Sequence, residues 1–290
     1  MPQEAAHQVV LYGFGEAGRA FARSVSGRGV PLVAYDLQSR LEGYQEAADE
    51  LGVRLCHDAG NALTGASTVL CLVTADQALP AARAARAHLR SGTWWLDGDS
   101  CSPGTKRAAA AEIGVAGGRY VDLAIMAPVL PDVSRTQLLL AGPDAESADE
   151  LLRGWGLNSG VAGEKVGDAS MIKMLRSVMV KGREALTAEC VLAAERAGVA
   201  AAVLDSLQAT EGGGDIRVRS AYNLERMMVH GRRRAAEMRE VAATLRELGL
   251  PDRMSAAAAE WLDQVADLGL AAEDDESLGA RAGRILGQMG

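Results

Sequence analysis

Val9-Val10-Leu11-Tyr12-Gly13-Phe14-Gly15-Glu16-Ala17-Gly18-Arg19-Ala20 is the stretch whose reading decides how this chain folds. The apolar run at its start has no polar face, as expected of a strand buried on both sides. Glycines then stand at the first, third and sixth positions of G-x-G-x-x-G, and Ala17 to Ser26 can continue as helix. Each glycine has a physical task in such a turn. Gly13 permits the tight reversal, Gly15 lets backbone approach a pyrophosphate, and Gly18 lets the helix lie close on the strand. Phe14, Glu16 and Ala17 complete the loop, whose amide N–H groups at the helix start face the phosphates, where the helix dipole favours negative charge.

Glycine makes up 33 of the 290 residues, so the motif needs its context. A polar turn, Gly27-Arg28-Gly29, leads to a second apolar run, Val30 to Tyr35, that ends in Asp36. That acid lies about twenty residues past the glycines, where a carboxylate accepts hydrogen bonds from the adenosine ribose. Asp36 repels a 2′-phosphate and so favours NAD, whereas Arg40 offers that phosphate a partner and keeps NADP open. The competing account is an ordinary glycine-rich turn with Asp36 as a helix cap.

Strand and helix patterns alternate through the first half, which predicts a doubly wound α/β Rossmann sheet, parallel and covered on both faces. Helix is expected over Arg40 to Leu51, Gln77 to Leu89, Thr105 to Ile113 and Asp144 to Trp155. Strands are expected at Val53 to Leu55, Thr68 to Val73, Thr93 to Leu96, Tyr120 to Ile125, Gln137 to Ala141 and near Val161. Val73 ends one strand and Thr74 and Ala75 follow it at its carboxyl end, the side on which open α/β sheets bind ligands, and all three become cofactor candidates. Past Gly167 no strand pattern persists. Asp168 is a plausible cap for a long helix to Ala197, with Gly198 as its stop. Gly212-Gly213-Gly214 reads as a loop, Tyr222 to Leu248 and 255–269 as helices, and Glu273 to Glu276 as solvated surface. The expected domains are 1–165, binding a dinucleotide, and 166–290, an all-α substrate and dimerisation domain, joined by the long helix.

Composition narrows the function classes. A net charge of −8 argues against a nucleic-acid partner held by phosphate neutralisation. No apolar run reaches the roughly 18 residues needed to cross a bilayer, and Met1 to His7 has no signal-like core, so a cytoplasmic protein is expected. Cys56, Cys71, Cys101 and Cys190 are scattered, Cys71 and Cys190 reading as small buried hydrophobes, and with four histidines they offer no disulfide or metal spacing. A homodimer is expected from the long, two-sided apolar helix.

Lys173 stands five residues past the expected cap, between Ile172 and Met174, with Ser170 and Ser177 on its face. In a desolvated cleft its amine would be tuned for proton transfer; on an open face it would merely snorkel. Glu225 to Met238 carries a second cluster, with His230, Arg233, Arg234 and Glu237 on one helical face. A guanidinium there can hold a substrate carboxylate or phosphonate bidentately with His230 beside it, or the face is simply solvated with an internal Arg–Glu pair.

The layout resembles the β-hydroxyacid dehydrogenase family, which includes 3-hydroxyisobutyrate, 6-phosphogluconate and tartronate semialdehyde enzymes. The resemblance covers most of the chain. It rests on Gly13 to Gly18, Asp97 to Pro103, Tyr120 to Val129 and Gly167 to Ser177. It implies that Lys173 handles the hydroxyl proton while hydride moves to or from a nicotinamide, with Ser177 orienting the substrate or Lys173, and Ser100 bonding a substrate oxygen. Three positions depart from the family. Ser177 stands where it has asparagine, Met126-Ala127-Pro128 replaces its Ser-Gly-Gly substrate loop, and Val180 replaces the acid of 6-phosphogluconate enzymes. The C-terminal half resembles a branch of phosphogluconate-dehydrogenase-like proteins of unknown substrate. The implied activity is NAD(P)-dependent oxidation or reduction of a small hydroxy acid, with Met126, His230 and Arg233 on the substrate. An imine reductase and a non-catalytic NAD(H)-binding sensor or scaffold are the rivals.

Overall fold

The computed structural model describes residues 8–211, 214–273 and 276–289. Strand β1 (Gln8–Tyr12) and helix α1 (Glu16–Val25) flank the glycine turn, as the sequence predicts. Seven further strands follow: β2 (Leu32–Tyr35), β3 (Arg54–Cys56), β4 (Ala66–Cys71), β5 (Trp94–Asp97), β6 (Arg119–Ile125), β7 (Leu138–Ala141) and β8 (Ser159–Gly163). They form one sheet of order β3-β2-β1-β4-β5-β6-β7-β8, with the order reversing beside β1. That reversal opens the ligand crevice of doubly wound folds at the carboxyl ends of β1 and β4. Two apolar layers cover the sheet. Phe14, Phe21, Leu96 and Leu123 belong to one, Val10, Val69, Trp95 and Ile113 to the other.

One strand departs from the expected parallel sheet. β7 runs antiparallel to β6, with Leu123 opposite Leu140. A parallel return needs a crossover, commonly a helix. Residues 126–137 contain only the 3₁₀ turn Val133–Arg135, so the chain doubles back.

The helices of this half are α2 (Tyr44–Glu50), α3 (Ala59–Leu63), α4 (Ala78–Ala85), α5 (Pro103–Val115) and α6 (Ala145–Gly154). α2 starts later than the expected Arg40, because Gly43 takes a left-handed conformation (φ +82°) that a helix interior does not accommodate. α5 starts at Pro103 and is capped by Ser102, which accepts from the Thr105 N–H at 3.2 Å.

The remaining helices are α7 (Asp168–Arg196), α8 (Ala200–Glu211), α9 (Ile216–Glu247), α10 (Arg253–Asp267) and α11 (Leu278–Met289). α7 has 29 residues, roughly 44 Å at 1.5 Å per residue. Two compact units divide the chain, Met1–Met174 and Leu175–Gly290, and the first turns of α7 go with the sheet. In the helical unit α9 and α10 pack backbone to backbone at Gly231, where a Cβ would stand 2.7 Å from the Leu262 carbonyl oxygen. The architecture is a Rossmann sheet followed by an all-α region. Of the expected Gly212 to Gly214 loop, Gly212 and Gly213 lie outside the described residues, as do Asp274 and Asp275 of the acidic run. Glu276 corrects that reading: its buried carboxylate pairs with Arg284 at 3.0 Å, because α11 brings two arginines back to it. Cys190 is also corrected. It is exposed, on the side of α7 away from buried Val191 and Leu192, whereas Cys71 is buried.

Candidate functional site

The glycine turn separates its three glycines by task. Gly13 has φ +108°, and a Cβ there would lie 2.5 Å from the Leu72 carbonyl oxygen; a Cβ on Gly18 would collide with the Gly13 carbonyl. Gly15 is different, since a Cβ there meets nothing within 4 Å. Two glycines are thus demanded by the fold itself and the middle one faces open space, as it must where a pyrophosphate approaches backbone. The chain fits a bound dinucleotide. Asp36 leaves β2 at its carboxyl end and accepts from the Phe14 N–H at 2.7 Å and the Gln38 N–H at 2.8 Å. Its carboxylate therefore ties the glycine turn to the turn after β2. Arg19 braces the same turn, donating to the Phe14 carbonyl at 3.1 Å with its guanidinium 4.8 Å from the Tyr44 ring centre. Glu16 and Arg40 are exposed, the latter on the turn after β2.

At the carboxyl end of β4, Thr74 is exposed and Ala75 buried, and the Val73 N–H donates to Asp99 at 2.6 Å. Ser100, in the loop after β5, accepts from the Lys173 ammonium at 2.5 Å. Two residues 73 apart in sequence, each singled out from the sequence, thus meet within the sheet unit. Met126 packs against Ala124, Ala141 and Ala169, one helical turn before Lys173. Pro128 is exposed, and its carbonyl accepts from Thr136 at 2.9 Å.

Beneath this pair lies a buried charge cluster that sequence reasoning passed over. Lys106 on α5 is fully enclosed and donates to the Asp97 carbonyl at 2.6 Å and carboxylate at 2.8 Å. It stands 3.6 Å from the Asp122 carboxylate. Tyr120 donates to the other Asp97 oxygen at 2.5 Å. Asp122 in turn accepts from the Gly167 and Ser170 N–H groups at 3.1 and 2.9 Å and from the Ser170 hydroxyl at 3.1 Å, capping the first turn of α7. Burial alone would lower the Lys106 pKa, but the neighbouring charges, that of Asp97 foremost, outweigh it and hold the amine charged. Burial, then the charge of Asp97, push the Asp99 carboxyl well above its usual range. The signal was a carboxylate closing one apolar run, another inside the next, and a lysine in an alanine-rich helix.

In the helical unit, Ser177 is buried and accepts from Lys181 at 3.1 Å; Lys181 also pairs with Glu237 at 2.9 Å. The face expected to unite His230, Arg233, Arg234 and Glu237 is divided. Arg234 is buried in a bidentate pair with Glu184 on α7, one arm at 2.7 Å, and Glu237 serves Lys181. Arg233 is exposed and His230 half-buried. No cluster of His, Cys, Asp or Glu suited to a metal ion occurs among the described residues.

Residues 8–151 match the NAD binding domain of 6-phosphogluconate dehydrogenase, and residues 194–265 match a domain of unknown function, DUF1932. A conserved hypothetical protein from Sinorhizobium meliloti 1021 is 35% identical over 99% of this chain and 98% of its own, with a TM-score of 0.73. A conserved protein of unknown function, described as structurally similar to 3-hydroxyacid dehydrogenases, is 35% identical over 90% of this chain and 97% of its own, with a TM-score of 0.67. The chain belongs to the β-hydroxyacid dehydrogenase family. The fold is shared further afield. A 3-hydroxyisobutyrate dehydrogenase of Mycobacterium tuberculosis is 15% identical, with coverage of 95% and 98% and a TM-score of 0.73. This family member is therefore an NAD(P)-dependent dehydrogenase or reductase of the 3-hydroxyacid type acting on a small molecule, with NAD or NADP as its cofactor. Among the described residues no helix is long and apolar enough to cross a membrane.

Proposed function

We propose that the protein interconverts a small hydroxy acid and its aldehyde or keto form, with Lys173 as the general acid and base. The observation that carries this reading is the Lys173–Ser100 hydrogen bond at the carboxyl end of the sheet. The nicotinamide, when bound, supplies the hydride chemistry at C4. The residues that would hold the dinucleotide are Gly13, Phe14, Gly15, Glu16, Ala17, Gly18, Asp36, Val73, Thr74 and Ala75. Asp36 favours NAD, and Arg40 is the residue that would meet a 2′-phosphate.

In the oxidative direction Lys173 takes the proton from the carbinol oxygen as the C–H bond releases hydride, and in reduction it returns that proton. Ser100 donates to the same substrate oxygen and holds the amine on line. Ser177 accepts from Lys181, which leaves its own O–H to donate to the substrate. Met126 offers the substrate an apolar side chain. Within the helical unit His230 and Arg233 are the candidates for holding an acid group, whereas Arg234, committed to Glu184, takes no part.

A screen of NAD- and NADP-linked turnover over small hydroxy acids, with phosphonate and branched-chain analogues and cyclic imines as separate arms, tests the reading. Lys173→Ala should keep dinucleotide affinity and lose about 10²–10⁴-fold in kcat. Unchanged kcat would reject the role of Lys173. Turnover of imines alone would replace the substrate class, and dinucleotide binding with no turnover of any arm would leave a sensor.

A further inference from the structure

Asp97 and Asp122 are register partners on the adjacent parallel strands β5 and β6, so their carboxylates leave the sheet side by side on one face. Both are essentially inaccessible to water. Two neighbouring buried carboxylates repel strongly unless a cation compensates them. Lys106 is that cation, and one oxygen of Asp122 has no hydrogen-bond partner besides this ammonium's charge at 3.6 Å.

The two carboxylates serve different elements. Asp97 begins the loop that ends in Ser100 and accepts from the Asp99 N–H at 3.0 Å, closing that loop. Asp122 holds the first turn of α7 through Gly167 and Ser170, and Lys173 follows Ser170 by three residues, on the same face of the helix. Only four of the chain's 30 lysine and arginine residues are lysines: Lys106, Lys165, Lys173 and Lys181. A compact ammonium, with three donors and no planar fork, suits the narrow space between two carboxylates better than a guanidinium.

We propose that Lys106 is a positioning residue for the Lys173–Ser100 pair, tying the Ser100 loop through Asp97 to the α7 start through Asp122. The groups facing Lys106 are Asp97, Cys101, Asp122 and Asp99, with Tyr120 on the far oxygen of Asp97. The catalytic consequence rests on the proton-transfer reading of Lys173; the geometric tie does not.

The test is therefore read first without turnover. Lys165 is exposed and lies eight residues before Lys173, so it is an internal standard for amine labelling. Brief acetic anhydride labelling of the full chain, read by mass spectrometry, gives the Lys173 to Lys165 ratio. In folded Lys106→Met that ratio should rise about threefold or more as the amine leaves Ser100, while NADH affinity stays within about twofold, the glycine turn being untouched. Arg234→Met, which breaks a buried pair of the helical unit, should leave the ratio unchanged. With a substrate in hand, kcat should fall about 10²-fold against a nearly constant KM for the dinucleotide. If Lys106→Met does not fold, Ser170→Ala, which removes one hydroxyl contact to Asp122, should raise the ratio in the same direction by a smaller factor. An unchanged ratio in folded Lys106→Met, or in Ser170→Ala where Lys106→Met does not fold, overturns the tie. A raised ratio in a protein whose Lys173→Ala variant still turns over would uphold the tie and reject the general-base role.

Discussion

Gly15 and its two neighbouring glycines make separable demands, and mutation can tell them apart. Gly15→Ala adds a Cβ where nothing stands within 4 Å, so the thermal midpoint should stay near that of the wild type. Dinucleotide affinity should fall about 10²-fold, because the new side chain pushes the pyrophosphate away from the backbone N–H groups. Gly13→Ala forces a left-handed Cβ against the Leu72 carbonyl and should cost at least about 1–2 kcal/mol of stability. Calorimetry with NADH titration distinguishes the two outcomes; an equal loss of stability at both positions would contradict the assignment. At this scale the sequence was highly legible where spacing encodes backbone shape, as in Gly13, Gly15, Gly18 and Asp36. It was legible for Lys173 and Ser100 only through the resemblance, because periodicity alone cannot tell a cleft lysine from a snorkelling one. Arg234 shows the limit: a helical face read from one element says nothing of Glu184 arriving from another.

The loop between β5 and α5 carries the most concentrated chemistry among the elements. Burial and the Asp97 charge raise the Asp99 carboxyl well above its ordinary value of 3.8. The folded chain then retains a proton that the unfolded chain gives up, so this group's stabilisation is complete below about pH 4 and declines as pH rises toward its folded-state value. Asp99→Asn has no proton to lose. Its unfolding free energy relative to wild type should improve from pH 4 to pH 7, by at most about 1.4 kcal/mol per unit, as denaturant melts across that range would show. A constant difference would mean that Asp99 is ionised in the fold. Lys106 follows the same sign at higher pH: its pKa is raised, so its contribution persists through neutrality and is lost only in alkali. The strand patterns foretold β5 and β6, but not that Asp97 and Asp122 fall in register, since pairing is set by tertiary contacts that no local run encodes. The reversed β7 was hidden for a related reason. An apolar strand looks the same in either direction, and only the missing crossover helix shows which way it runs.

For the molecule as a whole, an α/β half followed by an all-α half was legible because strand patterns alternate with helical ones up to about Gly167 and none persists beyond it. The helical unit leaves Leu175, Met179 and Leu186 of α7, and Val218, Tyr222 and Val229 of α9, exposed. We infer that a second copy covers such residues, and sedimentation should give about twice the 30.3 kDa chain mass; a monomer at micromolar concentration would refute this. Lysine scarcity has a practical outcome of its own. Lys165 is exposed in the bend between β8 and α7, whereas Lys106, Lys173 and Lys181 are buried or half-buried. An endoproteinase that cuts only after lysine should therefore nick the native chain first at Lys165, dividing it into a sheet-bearing fragment and a helical one in a single stroke.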